Sequence, residues 1–154
     1  MAAVRSKNTQ PEIVVRRLLH GLGYRYHVHA ANLPGSPDIV LRKRQCVIFV
    51  NGCFWHGHDC PRGAPPSSNT KFWLPKINKN RDRDLRVQRE LKEGGWRVLT
   101  IWECQTKNQG RLQRRLCRFL DAAAYSRASK SRTLASLTPP TKKPPRRKTL
   151  RPNK

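Results

Sequence analysis

The chain is expected to fold as an α/β layer built on a mixed sheet. Three observations predict this. Short apolar runs, Asp38–Leu41, Cys46–Val50 and Trp96–Trp102, have the length of buried strands. Segments on either side repeat their apolar residues at helical spacing. Glycine- and proline-containing turns separate the two kinds of segment.

In chain order, Thr9-Gln10-Pro11-Glu12 has the form of a capping box with proline early in the first turn. Val14, Leu18 and Leu22 then recur at helical spacing, and Gly21 and Gly23 end the helix. Tyr24–Val28 alternates like a half-buried strand. Leu33-Pro34-Gly35-Ser36-Pro37 is a turn opening onto Asp38–Leu41, and Arg42–Gln45 is a polar hairpin into Cys46–Val50. After a Cys/His-rich loop, a Pro/Ser-rich crossing runs from Pro61 to Asn69. A highly charged helix is expected from about Asn80 to Glu93, stopped by Gly94-Gly95. Trp96–Trp102 forms the last strand, with Trp96 and Trp102 in the core. Leu112, Leu116, Phe119 and Ala123 line one side of a final helix. The order is α-β-β-β-α-β-α, with no internal repeat.

The charge is lopsided. Thirty-three Lys and Arg face nine acids, a formal +24 over 154 residues. Such an excess makes a polyanion the default partner. No apolar run approaches the ~18 residues of a spanning helix, and no signal peptide opens the chain, so a soluble intracellular protein is expected. From Arg127 to Lys154 the composition changes to ten Lys/Arg, five prolines and no acid. That segment is expected to be disordered, because it buries too little to offset its ordering entropy. It is either a sequence-blind DNA tether or a solvated terminus. The rest, residues 1–126, still carries +14 and is expected to be one folded domain.

Five cysteines without an export signal argue against disulfides. Cys46 and Cys117 fall on apolar faces and are expected in the core. Cys53, His58 and Cys60 form a C-x4-H-x-C cluster, and Cys104 lies just past the last strand. Together they offer the four N/S ligands of a closed, structural zinc site, provided the third and fourth strands are neighbours. Phe54-Trp55 gives the same loop an apolar tip suited to nucleobases.

Asp38 stands at the mouth of a strand, where a carboxylate either caps the turn or holds a hard cation such as Mg²⁺. His56 is left over from the zinc set. It is open to proton transfer, to a substitute role at zinc, or to a phosphate contact. Glu12 either completes the capping box or faces the Asp38 site. Arg81–Arg86 is a phosphate-facing or a solvated helix face, the former favoured by the charge. Phosphodiester hydrolysis needs an activated water, a cation on the phosphate and a proton donor for the leaving oxygen, which Asp38, His56 and Glu12 can supply.

Pro34–Asp38, Cys46–Cys60, Lys71-Phe72-Trp73 through Asn80–Asp84, and Gly95–Val98 through Trp102-Glu103-Cys104 together resemble one family, the very-short-patch repair (Vsr) DNA mismatch endonucleases. The resemblance covers about Val4 to Phe119. It implies a restriction-endonuclease-like fold, a structural zinc, and Mg²⁺-dependent nicking of one strand of double-stranded DNA beside a T:G mispair left by 5-methylcytosine deamination. It implies a monomer working in the bacterial cytoplasm at the nucleoid, with other repair proteins as further partners. By the same resemblance Asp38 is the metal-binding aspartate, the Val50 carbonyl a further Mg²⁺ ligand, and His56 the acid/base group with Glu12 nearby. Cys53, His58, Cys60 and Cys104 hold zinc. Phe54, Trp55 and Trp73 enter the base stack, and Lys76, Asn80 and Arg81 join them on DNA. Asn51 stands in the catalytic set where many relatives carry histidine. Asparagine hydrogen-bonds but exchanges no proton near neutrality. Two other functions remain open on these residues: a zinc-stabilised DNA-binding protein with weak or no cleavage, and a nuclease of this fold that cuts undamaged DNA.

Overall fold

The computed structural model describes the backbone of residues 7–135 and the side chains of residues 7–122. Its elements are α1 (Gln10–Gly21), β1 (His27–Val28), β2 (Ile39–Leu41), β3 (Cys46–Asn51), α2 (Thr70–Glu93), β4 (Arg97–Trp102) and α3 (Gln109–Ala135). The sheet order is β1-β2-β3-β4, with antiparallel pairing except for the parallel β3–β4 pair. The mixed α/β layer is therefore as the sequence predicts, and β3 and β4 are neighbours.

The alternation along each strand sorts the core into two faces. Ile39, Leu41, Cys46, Ile48 and Ile101 pack against Val15 and Leu19 of α1 and Leu112, Leu116 and Leu120 of α3. Val40 and Val47 point the other way, onto Val87 and Leu91 of α2, with Phe49, Trp96 and Val98 beside them. A sheet covered on both sides needs apolar residues at consecutive positions, which is why β2 and β3 appear as unbroken apolar runs. Among the described residues, no helix is long and apolar enough to cross a membrane.

Several local expectations shift. The α1 face that is fully buried is Glu12, Val15 and Leu19, one residue on from the expected stripe; Val14, Leu18 and Leu22 are only half-buried. Strand β1 is two residues long rather than Tyr24–Val28. Its partner β2 is itself cut short by Pro37 before it and the 3-10 turn at Arg42–Arg44 after it. Helix α2 begins at Thr70, about ten residues early, and runs through Pro75. The proline lies in the second turn, where it removes the one N–H that would reach the Lys71 carbonyl and its ring crowds that oxygen. Leu120 joins the buried face of α3, while Cys117 is half-buried. The backbone of α3 continues to Ala135, past Arg127 where the composition places the tail. No proline or glycine interrupts 121–135, and alanine and basic residues favour helix. The remaining tail, 136–154, lies outside the described residues.

Candidate active site and metal centre

Parallel pairing of β3 and β4 in the register Asn51↔Trp102 brings their C-terminal ends together at one pole of the sheet. Asp38 opens at that pole too, because β2 enters antiparallel to β3. A cleft of about 940 Å³ lies there, lined by Glu12, His29, Asp38, Val50, Asn51, Trp55, His56 and Asp84 among others. The four residues expected to be catalytic thus share one cleft with the exposed aromatic.

The turn before Asp38 is set by close packing. Gly35 has φ +68°, and a Cβ there would fall 2.4 Å from Val87 Cγ1, so the turn lies directly on α2. Asp38 Oδ2 accepts a hydrogen bond from the Val50 N–H at 2.7 Å, which ties the carboxylate to the end of β3. Burial pushes its pKa from 3.8 up to about 6; the Val50 bond opposes the rise and the nearby Glu12 charge adds to it.

Glu12 is 2% exposed, and among the described residues it is the one charged side chain in the core. It completes the capping box, accepting from the Thr9 hydroxyl at 2.9 Å and the Thr9 N–H at 3.4 Å. Its other oxygen accepts from the Asn8 N–H at 3.1 Å and from Arg16 Nη2 at 2.7 Å. Both readings of this residue hold at once, since the same carboxylate also lies beside Asp38. Ligand atoms of Glu12, His29 and Asp38 are within 4.8 Å of one another, close enough for one cation.

His56 sits on the turn after β3, and its Nδ1 hydrogen-bonds Asp84 Oδ2 of α2. A carboxylate only accepts, so Nδ1 carries the proton and Nε2 is left to give or take another. Asn51 Nδ2 approaches the same Nδ1 at 3.3 Å. Both of these nitrogens carry hydrogen, so the approach is a contact and not a hydrogen bond, and it is Asp84 that holds the imidazole.

Beyond His56, the loop closes on a second cluster. One donor atom each from Cys53, His58, Cys60 and Cys104 falls within 4.8 Å of the others. Cys104 Sγ lies 3.6 Å from His58 Nδ1. A tetrahedral zinc at ordinary bond lengths sets that edge at about 3.6 Å, so these two donors would need little movement and the donor set fits the ion. The Cys104 N–H points at Cys53 Sγ, 3.4 Å away. Burial raises the Cys53 pKa to about 12, whereas the His58 hydrogen bond lowers Cys60 to about 7. Loading a cation here must therefore release thiol protons. Trp102 is only half-buried, contrary to the expectation for a core residue. Its ring stacks on His58 at 4.3 Å and meets His56 edge-on at 6.3 Å.

Phe54, Trp55 and Trp73 form one edge-to-face cluster with centroids 5.2–5.8 Å apart. Trp55 is 38% exposed and Phe72, which the sequence reading passed over, 55%. Lys76 Nζ stands 4.0 Å over the Phe72 ring. Asn80 donates to the Trp55 carbonyl at 2.9 Å, so it braces the aromatic turn. Arg81 is exposed beside Gly57.

His29, Asp84 and Arg16 also belong to this region and were not singled out from the sequence. Asp84 gave no signal of its own, because Asp82, Glu90 and Glu93 share its helix. His29 and Arg16 had none beyond residue type, because their place depends on how β1 meets β2.

Comparison with known proteins identifies relatives of the chain. Residues 1–62 match the family model described as DNA mismatch endonuclease Vsr. The chain is 51% identical over 121 residues to the type II nicking enzyme V.XorIIP of Xanthomonas oryzae pv. oryzae, covering 79% of this chain and 89% of that one. It is 45% identical over 112 residues to the DNA mismatch endonuclease Vsr of Escherichia coli, covering 73% and 72% respectively. Among solved structures, the catalytic domain of the homing endonuclease I-Bth0305I superposes with a TM-score of 0.54 at 25% identity. That match spans 75% of this chain and 98% of the domain.

Proposed function

Since this chain belongs to the Vsr family of DNA mismatch endonucleases, we propose that it nicks one strand of duplex DNA beside a T:G mispair, using Mg²⁺ for hydrolysis and Zn²⁺ for structure. Family membership makes it a DNA endonuclease. The finer reading rests on one observation: Asp38, Glu12, the His56–Asp84 pair and Trp55 line a single cleft.

Hydrolysis forms a bond from water oxygen to phosphorus and breaks one from phosphorus to a sugar oxygen, which leaves with a proton. Mg²⁺ held by Asp38 and the Val50 carbonyl would supply Lewis-acid stabilisation of the charge that develops on the phosphate. Glu12 adds a second carboxylate to that corner. His56 moves the proton through Nε2, and Asp84 keeps its tautomer and stabilises the imidazolium. Asn51 exchanges no proton, so the acid/base role falls to His56, which it adjoins in the cleft. Zn²⁺ on Cys53, His58, Cys60 and Cys104 fixes the turn that carries both His56 and Trp55.

Phe54, Trp55 and Trp73 would enter the stack beside the mispair. Unstacking costs a few kcal/mol per step and is cheapest where pairing is already poor, so the wedge selects weak steps. Lys76 and Arg81 would meet the backbone phosphates, with Asn80 holding the turn in place. The basic segment after residue 126 adds affinity that falls with salt.

The test uses the purified chain, Mg²⁺, and duplexes differing only in a T:G or T:A pair. Nicking confined to the T strand of the mispaired duplex, lost in Asp38→Ala with binding retained, is expected. Equal cutting of both duplexes would refute the mismatch reading. Undiminished nicking by Asp38→Ala would refute the site.

A further inference from the structure

We propose that His29 is a third protein ligand of the catalytic cation, with Glu12 and Asp38, and that this nitrogen donor tilts the site toward Mn²⁺. The inference rests on the reading of Asp38 as a cation-binding carboxylate.

Backbone register comes first. The pairs His27↔Val40 and Val28↔Ile39 extend one rung further, where the His29 N–H reaches the Asp38 carbonyl at 3.3 Å. His29 and Asp38 are thus cross-strand neighbours at the mouth of the cleft, a spacing at which side chains interact directly. His29 also holds a left-handed backbone, φ +49°, which is uncommon for a residue with a Cβ and gathers at functional sites.

The electrostatics point to the same place. Arg16 Nη2 lies 3.0 Å from His29 Nε2 and 2.7 Å from Glu12 Oε2. A guanidinium only donates, so toward Arg16 the Nε2 atom presents its lone pair. Two lone pairs therefore converge where positive charge already sits, and an Asp38 oxygen lies within 4.8 Å of both donors. Arg16 is held on its far side through Nη1 to Asn8 Oδ1 at 2.8 Å, while its buried Nε has no hydrogen-bond partner. A divalent ion on these donors would take over the charge that the guanidinium now supplies. Imidazole suits Mn²⁺ better than Mg²⁺, which prefers oxygen and water.

The experiment titrates Mn²⁺ and Mg²⁺ into the full-length, untagged chain without DNA, followed by calorimetry and pulsed electron paramagnetic resonance. Wild type should show Mn²⁺ coupled to a directly coordinated ¹⁴N, replaced by a ¹⁵N coupling when histidine alone is labelled. His29→Gln should lose that coupling and weaken Mn²⁺ binding by at least about tenfold, and Mg²⁺ binding by less. His56→Gln should retain the coupling. A wild-type protein that binds Mn²⁺ with no nitrogen coupling overturns the proposal, and so does a coupling that survives in His29→Gln. Should His29→Gln fail to fold, His29→Asn takes its place, and a labelled wild type without the coupling overturns the proposal by itself. Asp38→Ala separates the two levels: if it leaves cation binding intact, the cation-site reading of Asp38 fails. If it abolishes binding while wild type lacks the nitrogen coupling, only the role of His29 fails.

Discussion

Replacing Asp38 by asparagine should stabilise the magnesium-free protein near neutral pH while abolishing nicking. The substituted amide would still accept the Val50 N–H, because its oxygen takes the place of Oδ2. What disappears is a buried negative charge whose pKa is raised from 3.8 to about 6, chiefly by desolvation. At 1.36 kcal/mol per unit, holding that carboxylate ionised in the fold costs about 3 kcal/mol, a large share of a domain's net stability. The sign follows from proton counting. Between pH 4 and 6 the folded state binds more protons at this group than the unfolded chain does, so stability falls as pH rises. Above that window the penalty is constant; at pH 5 it is about half, and near pH 4 it is small. Urea denaturation in magnesium-free buffer that leaves zinc in place should therefore find Asp38→Asn more stable by up to about 3 kcal/mol at pH 7.5. Its advantage should shrink by about half at pH 5. Added Mg²⁺ should stabilise wild type and not the variant. A variant that is less stable at pH 7.5, or whose advantage does not narrow toward pH 5, would show that burial is not what sets this carboxylate.

Three other outcomes test separate parts of the site. Asp84→Asn should lower nicking by about 10²–10⁴-fold with mispaired DNA still bound, because the His56 imidazole loses its orienting carboxylate; single-turnover kinetics beside a binding titration separates the two effects. Gly63→Ala should expel bound zinc, measurable by metal analysis, since its Cβ would lie 2.0 Å from the His58 carbonyl oxygen and the chain bearing a ligand must move. Trp55→Ala should weaken binding to a T:G duplex by about 1–3 kcal/mol, the worth of one base–aromatic stack, while leaving binding to matched DNA nearly unchanged in the same titration.

Periodicity located β2 and β3 because strands covered on both faces must be apolar at consecutive positions, and Ile39–Leu41 and Cys46–Ile48 have no other use. The Cys/His set was legible for a similar reason: few arrangements other than a metal explain four soft ligands near two strand ends. What escaped depended on long-range geometry. His29 earns its place through an edge-strand register and a positive φ, neither of which has a local signature. Asp84 sits among cations on α2, where a charge pattern alone looks like a solvated face. The start of α2 was missed because Pro75 argues against helix locally, although near a helix end it removes a single hydrogen bond. Trp102 looked like core by alternation, yet its ring is used as a wall behind His56 and His58.

The connection over residues 52–69 contains no helix or strand, and loops of such length are uncommon unless they are functional. Four restraints hold its first half: the Cys/His cluster, the Trp102 stack, the Asn80–Trp55 hydrogen bond and the His56–Asp84 pair. Trp55 and His56 are adjacent within it, with Cα atoms about 3.8 Å apart, so neither can shift without the other. On the proposed function, this makes stacking and chemistry one event. A base step that admits the aromatics brings its phosphate under Nε2 and against Asp38, whereas a well-paired step keeps the backbone away from both. Discrimination would then appear in the rate of nicking as well as in affinity, because the interaction that recognises the weak step is also the one that aligns the reacting phosphate.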